Sequence, residues 1–598
     1  MNVLKSLDSF PSLTRRLWSH IAQRRKYQFG LLSGLMLISS FTEVISLGAV
    51  LPFIGVLVAP VKVFEHPIIQ DMAYFLGINS PEQLVLPLTV TFAAAAIVAG
   101  IMRTILLWAS TRLSYANGSD LSIEVYRRSL YQPYEVHASR NSSEVLSAMT
   151  DKANSVVGSV LLQLITLISS TVLLTLITFS LFIINPLVAL ISLTGFGVSY
   201  VLITWLVSKR LQRNGQRISE EQSRVIKIIQ EGLGGIRDVL LGGSQQVYCD
   251  SYRKADHALR SAQGNNVFMS GSPRYVMEAV GIVLITILAY SLSKKVGGVA
   301  SALPILGALA LGAQRLLPAL QNIFSSWASI VGSKRALADI VDLLDQPLNK
   351  ELIGLSSDPL KFDNLINFND IRFHYSGDSS WVLDGINLTI PKGARYGFIG
   401  RTGSGKSTLL DLLMGLLKPT EGEILIDGKC ISGYLLRAWQ QKIAHVPQSI
   451  YLTDATLAEN IAFSVPPEDI DLKRVHKAAK QAQISEYIES DPKGYDALVG
   501  ERGIKLSGGQ LQRIGIARAL YKQPSILIFD EATSALDTET EHSVMDAIEG
   551  LDRSLTILII AHRLTTLQKC DTIVELENGR VSAQGTYEQM IEAQSFNK

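Results

Sequence analysis

The sequence predicts a multidomain chain of two structural classes, an all-α half with six membrane-crossing helices followed by an α/β half. Three observations lead there. A chain of 598 residues is too long for one hydrophobic core. Its mean hydropathy of +0.24, with only 18% charged residues, is unusual for a soluble chain of this size, so part of it uses lipid as solvent. The C-terminal part holds short, continuously apolar runs, as strands buried on both faces of a sheet do. The net charge of +2 is nearly balanced, and no nucleic-acid partner is expected. Cys249, Cys430 and Cys570 are scattered, with neither zinc-site spacing nor a disulfide framework, which fits reduced, cytosol-facing segments.

The first domain is assigned to residues 1–345. Residues 1–26 are polar and basic and do not read as a cleavable signal. Apolar runs follow at about 27–58, 84–110, 156–184, 187–207, 276–292 and 299–323, each long enough to cross a bilayer. Asn185-Pro186 reads as a tight turn between the third and fourth. Basic residues crowd the N-terminus and the segments 112–155 and 208–275, whereas 59–83 carries only Lys62. This asymmetry places the N-terminus and both long connections in the cytoplasm. Those connections are patterned as helices that continue out of the membrane and end in short elements able to touch another domain. Residues 61–76 read as an amphipathic helix at the outer surface or as a hairpin loop packed on the spans. Glu43, Arg103, Arg274, Glu278 and Arg315 lie in or beside apolar runs, where an unpaired charge is costly. Arg274 and Glu278 are four apart and can pair, but Glu43 and Arg315 have no obvious local partner. With Arg103 they form the candidate substrate set.

A linker at 346–362, mixing Pro, Gly, Ser and Asp, leads to the second domain, 363–598. Its strand-like runs are 366–374, 386–390, 396–399, 423–426, 525–529 and 555–560. Between a strand and a helix lie Gly400, Arg401, Thr402, Gly403, Ser404, Gly405, Lys406 and Ser407, a complete G-x-x-x-x-G-K-S loop followed by Thr408. Such a loop offers backbone N–H groups and a helix N-terminus to a polyphosphate. Lys406 is expected on the outer phosphates and the Ser407 hydroxyl on Mg²⁺. Asp530 and Glu531 end the buried run 525–529. Asp530 is placed to hold Mg²⁺, and Glu531 to take a proton from, or orient, an attacking water. Ser507, Gly508, Gly509 and Gln510 precede another helix, a second anion site in a chain that already has one. A second copy completing the first copy's site in trans explains it, so a homodimer is expected.

Residues 363–598 resemble the nucleotide-binding domain of ABC transporters, an α/β P-loop NTPase cassette, and the six spans resemble the membrane domain of type IV ABC exporters. The resemblance implies ATP and Mg²⁺ as cofactors. It implies that Tyr375 stacks on adenine, that Gln448 senses Mg²⁺, that Asp537 belongs to the D-loop, and that His562 contacts the γ-phosphate. Residues 41–54, 273–278 and the stretch opening at Arg315 are similar to bacterial lipid-linked oligosaccharide flippases of the PglK type. That similarity implies ATP-driven flipping of a lipid-linked oligosaccharide or glycolipid across the bacterial cytoplasmic membrane, with the cassette in the cytoplasm. The alternative is a multidrug or general lipid or polysaccharide exporter.

Overall fold

The computed structural model describes residues 9–58, 60–65, 80–184, 186–293, 316–348, 360–375, 380–500, 503, 506–531 and 538–596. The chain divides into two compact units, Met1–Leu130 with Arg140–Pro347, and Tyr131–Ser139 with Leu348–Lys598.

The first unit is helical. α1 (Phe10–His20) buries Leu13 and Leu17 and leads to the long α2 (Gln23–Val58). After α3 (Pro60–Phe64) comes α4 (Val85–Leu130), whose 46 residues reach about 69 Å at ~1.5 Å per residue, far beyond a bilayer's hydrocarbon thickness. α5 (Tyr134–Ser139) groups with the second unit. α6 (Ser142–Ser147) runs through two i→i+5-bonded stretches, Ala148–Lys152 and Val156–Leu161, into α7 (Leu162–Ile184). Then follow α8 (Pro186–Gly234), α9 (Ile236–Leu241), α10 (Gln245–Gly271), α11 (Pro273–Ser293), α12 over 316–332 and α13 (Lys334–Leu344).

Among the described residues three helical stretches, Gln23–Leu57, Pro81–Leu130 and Ser142–Ile183, are long and apolar enough to cross a membrane. The fourth and fifth expected spans lie on α8 and α11. Most of the sixth, including Arg315, falls outside the described residues, as do 66–79 of the expected outer helix.

α13 is the hub of this unit. Leu337, Val341 and Leu344 are fully buried against α1, α4 and the widened stretch before α7. Its acidic face is clasped by cations. Lys152 Nζ lies 2.6 Å from Asp339 Oδ2, which also accepts from the Ser219 hydroxyl at 2.8 Å, and Arg335 is 3.1 Å from Oδ1. Arg16 pairs with Asp342 and Asp345, and His20 with Asp345. The widened turns rotate Lys152 onto Asp339, a placement that regular 3.6-residue spacing does not predict.

The second unit has two sheets. β2 (Leu383–Pro391), β1 (Leu365–Phe373), β4 (Glu421–Ile426) and β5 (Lys429–Cys430) form an antiparallel sheet in that order. The larger sheet has the order β10-β9-β3-β8-β7-β6, with β3 (Arg395–Ile399), β6 (Ile443–Val446), β7 (Ile526–Asp530), β8 (Thr556–Ile560), β9 (Thr572–Glu577) and β10 (Arg580–Gly585). Neighbours from β9 to β6 run parallel, and β10 closes the edge antiparallel. The sequence pattern misses β6, which has only four residues, and β9, whose Glu575 and Glu577 interrupt its apolar run. Around these sheets pack α14 (Lys406–Leu413), α15 (Tyr434–Lys442), α16 (Leu457–Ile461), α17 (Leu472–Gln481), α18 (Ser485–Ser490), α19 (Gly508–Tyr521), α20 (Thr538–Glu549) and α21 (Tyr587–Phe596).

Candidate nucleotide site

Strand order builds the site. β3, β8, β7 and β6 lie side by side and parallel, so their C-terminal ends form one edge of the sheet, where ligands of open α/β sheets bind. β3 releases the glycine-rich loop there, β8 delivers His562, β7 delivers Asp530 and Glu531, and β6 delivers Gln448. Four segments spread over more than 160 residues of sequence meet along one line.

All five residues of β3 are buried, which fixes where the loop begins. Gly405 caps α14 at φ +100°, and a Cβ there would fall 2.5 Å from Leu383 Cδ2, so only glycine fits. Ser404 Oγ is buried without a hydrogen-bond partner among the described residues. Lys406, 6% exposed, folds back and donates to the carbonyls of Gly400 (2.9 Å) and Arg401 (3.1 Å). Burial lowers its pKa, against the opposing pull of Glu531 and Asp530. Ser407 is exposed at the start of α14. The Tyr375 hydroxyl meets Thr408 Oγ1 at 3.3 Å, and its ring packs edge-on against Phe373.

Glu531 is the most constrained residue of the site. Its backbone sits at φ +49°, unusual for a residue with a side chain and common where strain is kept for function. Oε1 lies 2.5 Å from His562 Nε2, and Oε2 accepts from Gln448 Nε2 at 2.9 Å. Burial and the Glu531 charge raise the pKa of Asp530, while Lys406 and His562 pull it down. The fold thus brings Lys406, Asp530, Glu531, Gln448 and His562 into one electrostatic group. The oxygen donors of Ser407, Gln448 and Asp530 suit a hard divalent cation, and the orphan Ser404 hydroxyl suits a phosphate.

Ser507 and Gln510 do not join this group. They satisfy each other in a capping box, Gln510 N donating to Ser507 Oγ (3.3 Å) and Ser507 N to Gln510 Oε1 (2.8 Å). Ser507 and Gly508 face solvent beside Gly509. Asp537 lies outside the described residues.

Sequence reasoning missed two residues. Tyr134 on α5 is held above the ordinary tyrosine range by burial and by the charges of Asp411, Tyr375 and Asp530, so it sits within reach of the site's field. Its only sequence signal is an aromatic between two helical runs. Asp411, on α14, is pushed up to about 6 by burial and by Asp530. In the first unit, Glu43, which has no obvious local partner, finds one on another helix. Arg103 Nε lies 3.2 Å away, from α4 against α2, a pairing that local spacing does not reveal. Arg274 Nε meets Glu278 Oε1 at 2.9 Å one turn along α11.

The sequence matches the family profile "ABC transporter" over residues 383–534 and "ABC transporter transmembrane region" over 37–297. It is 35% identical over 408 residues to an ATP-dependent lipid A-core flippase of Chromohalobacter salexigens, covering 67% of this chain and 68% of the relative. The chain belongs to the ABC transporter family. A second ATP-dependent lipid A-core flippase, from Cupriavidus pinatubonensis, is 30% identical over 480 residues, 79% of this chain and 80% of the relative. The solved structure of a bacterial Atm1-family ABC exporter with ATP bound superposes with a TM-score of 0.76 at 23% identity, over 98% of this chain and 97% of the other, and shares the fold. As an ABC transporter this chain is a multi-pass membrane protein with a helical membrane domain fused to an α/β cassette. It binds ATP and couples its hydrolysis to transport.

Proposed function

We propose that two copies of this chain form an ATP-driven flippase that moves a lipid-linked oligosaccharide or glycolipid from the inner to the outer leaflet of a bacterial cytoplasmic membrane. The N-terminus and the cassette face the cytoplasm. The observation that carries the substrate class is the identity to two proteins named lipid A-core flippases, over 67% and 79% of this chain. A half-exposed Arg103 inside a span supports it, as a partner for an anionic headgroup that competes with Glu43. Arg315 is its proposed companion.

In the cassette, Glu531 is the base that orients or deprotonates the attacking water, and His562 and Gln448 hold its two oxygens. Lys406 exchanges two backbone carbonyls for the outer phosphate oxygens. Tyr375 stacks on the base. Ser407, Asp530 and Gln448 would hold Mg²⁺, which supplies charge neutralisation on the transferred phosphoryl group.

Two features support the second copy. Ser507 and Gly508 are exposed, and Ser507 and Gln510 satisfy each other locally, ready for a phosphate from another chain. The tip helix α9 leaves Ile236, Leu240 and Leu241 exposed, and the cassette carries an open groove of about 690 Å³ lined by Leu416, Ile461 and Phe463. An exposed apolar helix and a groove that combines apolar walls with the cations Arg474, Arg518 and Lys522 suit a partner's complementary pair.

The test is reconstitution into liposomes with labelled polyprenyl-linked sugars, phospholipids and drugs, using Glu531→Gln as the inactive control. ATP-dependent loss of polyprenyl-linked sugar from the loading leaflet is expected. Transport of drugs alone would overturn the substrate class.

A further inference from the structure

The first unit contains a cavity of about 390 Å³ whose chemistry differs from that of the charged pairs around it. It lies between α8, α10, α12 and the widened stretch before α7. On α8 it begins at Gly215, just past the basic run Lys209, Arg210 and Arg213, and so on the side assigned to the cytoplasm. Among the described residues, nine of its fifteen lining side chains are polar and none is ionisable. They are six serines, Gln222, Gln263 and Asn266. The nearest carboxylate on α13, Asp339, is occupied by Lys152, Arg335 and the Ser219 hydroxyl.

The cavity is built rather than left over. α8 and α12 touch backbone to backbone, since a Cβ on Gly215 would fall 2.1 Å from the Gly332 carbonyl oxygen. A Cβ on Gly332 would in turn lie 2.9 Å from Asn266 Nδ2. Asn266 is anchored by Asn214, whose Nδ2 donates to its Oδ1 at 3.0 Å. Gln222 is 9% exposed and lines the space, and its side-chain amide has no hydrogen-bond partner among the described residues. The amide opens into the cavity rather than being sealed from it, so a bound group can hydrogen-bond it there.

The chemistry of that group follows by elimination. A charged ligand would be desolvated with no countercharge on the wall. An apolar ligand would leave most of the wall's hydroxyl and amide groups without water or a partner, since among the described residues only Ser155, Ser219, Asn266 and Ser270 already have protein partners. A neutral, hydroxyl-rich ligand meets donors and acceptors of its own kind on every side, and the volume lies within the range of about 300–1,000 Å³ of small-molecule sites. We infer that this cavity binds uncharged sugar units of the transported glycolipid on the loading side, with Gln222 as a specificity-determining contact. The inference rests on the glycolipid reading above and adds where the sugar is read.

The test uses the full-length protein in liposomes and two probes, a polyprenyl diphosphate carrying a neutral oligosaccharide and the same polyprenyl diphosphate without sugar. Gln222→Leu is expected to raise the half-maximal concentration for flipping of the glycosylated probe by about tenfold, leaving the sugar-free probe at the wild-type value. Ser159→Ala, a smaller change that spares packing, is expected to shift the same probe by about twofold to threefold. An equal shift for both probes would make the cavity a packing surface and overturn the inference, as would no shift in either variant. A wild-type protein that flips neither probe would instead remove the glycolipid reading itself. Sugar-dependent flipping that ignores Gln222→Leu and Ser159→Ala would remove only the cavity.

Discussion

Glu43 and Glu531 are both largely buried carboxylates set against a nitrogen-bearing side chain, one in each half of the molecule, and they arrive there differently. Glu531 ends a buried strand, is held at φ +49°, and meets His562 and Gln448 from the two strands on either side. Glu43 sits mid-helix, 2% exposed, and meets Arg103 from a helix sixty residues on, in a contact of helix against helix. In the cassette, short motifs carry the chemistry and strand order gathers them. In the membrane half, chemistry depends on which helices lie side by side. The partners differ as well: Arg103 is a fixed cation, whereas a histidine and an amide can exchange the carboxylate for phosphate or water.

The widest separation between the two comes from removing each charge. Glu531→Gln is expected to lower steady-state ATP hydrolysis by about a hundredfold or more while nucleotide still binds, read by phosphate release beside fluorescent-nucleotide binding. Wild-type turnover would make Glu531 structural and erase the contrast. Arg103→Leu is expected to act on stability instead. Removing a cation from beside the buried Glu43 is expected to cost about 3 kcal/mol, the lower end of the range for breaking a buried pair, because Arg103 is half exposed. Glu43→Gln combined with Arg103→Leu should recover most of that loss in thermal unfolding of the purified protein. If the double variant loses as much as the single, the two residues do not act as a pair.

A third carboxylate sharpens the comparison. Asp339 on α13 is served by two cations and a hydroxyl, Lys152, Arg335 and Ser219. Lys152→Met removes one of two cations and should cost about 1–2 kcal/mol, read as a lowered unfolding temperature of the whole chain. A loss as large as that of Arg103→Leu would mean that Arg335, 47% exposed, contributes nothing to holding the charge.

These contrasts explain what could be read in advance. The G-x-x-x-x-G-K-S loop, Asp530, Glu531 and the helix after Gly509 are legible because each motif needs only its own flanking strand or helix. The meeting of Gln448, Glu531 and His562 depends on the order β8-β7-β6, which no local pattern encodes. In the membrane half, periodicity identifies apolar runs but not their neighbours, so the partner of Glu43 stayed hidden. The i→i+5 turns that swing Lys152 onto Asp339 leave no trace in spacing. Tyr134 and Asp411 were invisible because their significance is electrostatic and arises only once the fold brings them near Asp530.

Asp411 supplies the smallest expected effect and the finest version of the comparison, a buried carboxylate whose nearest charged influence is another carboxylate. Burial and Asp530 push it up to about 6, above the unfolded value near 4. The folded state therefore binds this proton more tightly than the unfolded chain. Its contribution to stability is fully present below about pH 4, is lost as pH rises through 6, and stays lost above that. Asp411→Asn cannot ionise and should lose this slope. The variant is expected to match the wild type near pH 3.5 and to unfold about 2–6 °C higher at pH 7.5, a gain of about 1–2 kcal/mol after screening. The measurement is the difference in unfolding temperature between variant and wild type across that range, which cancels the other carboxylates. A constant difference would assign the effect to packing rather than to charge, and would place Asp411 with the neutral polar residues of α14 instead of with Glu43.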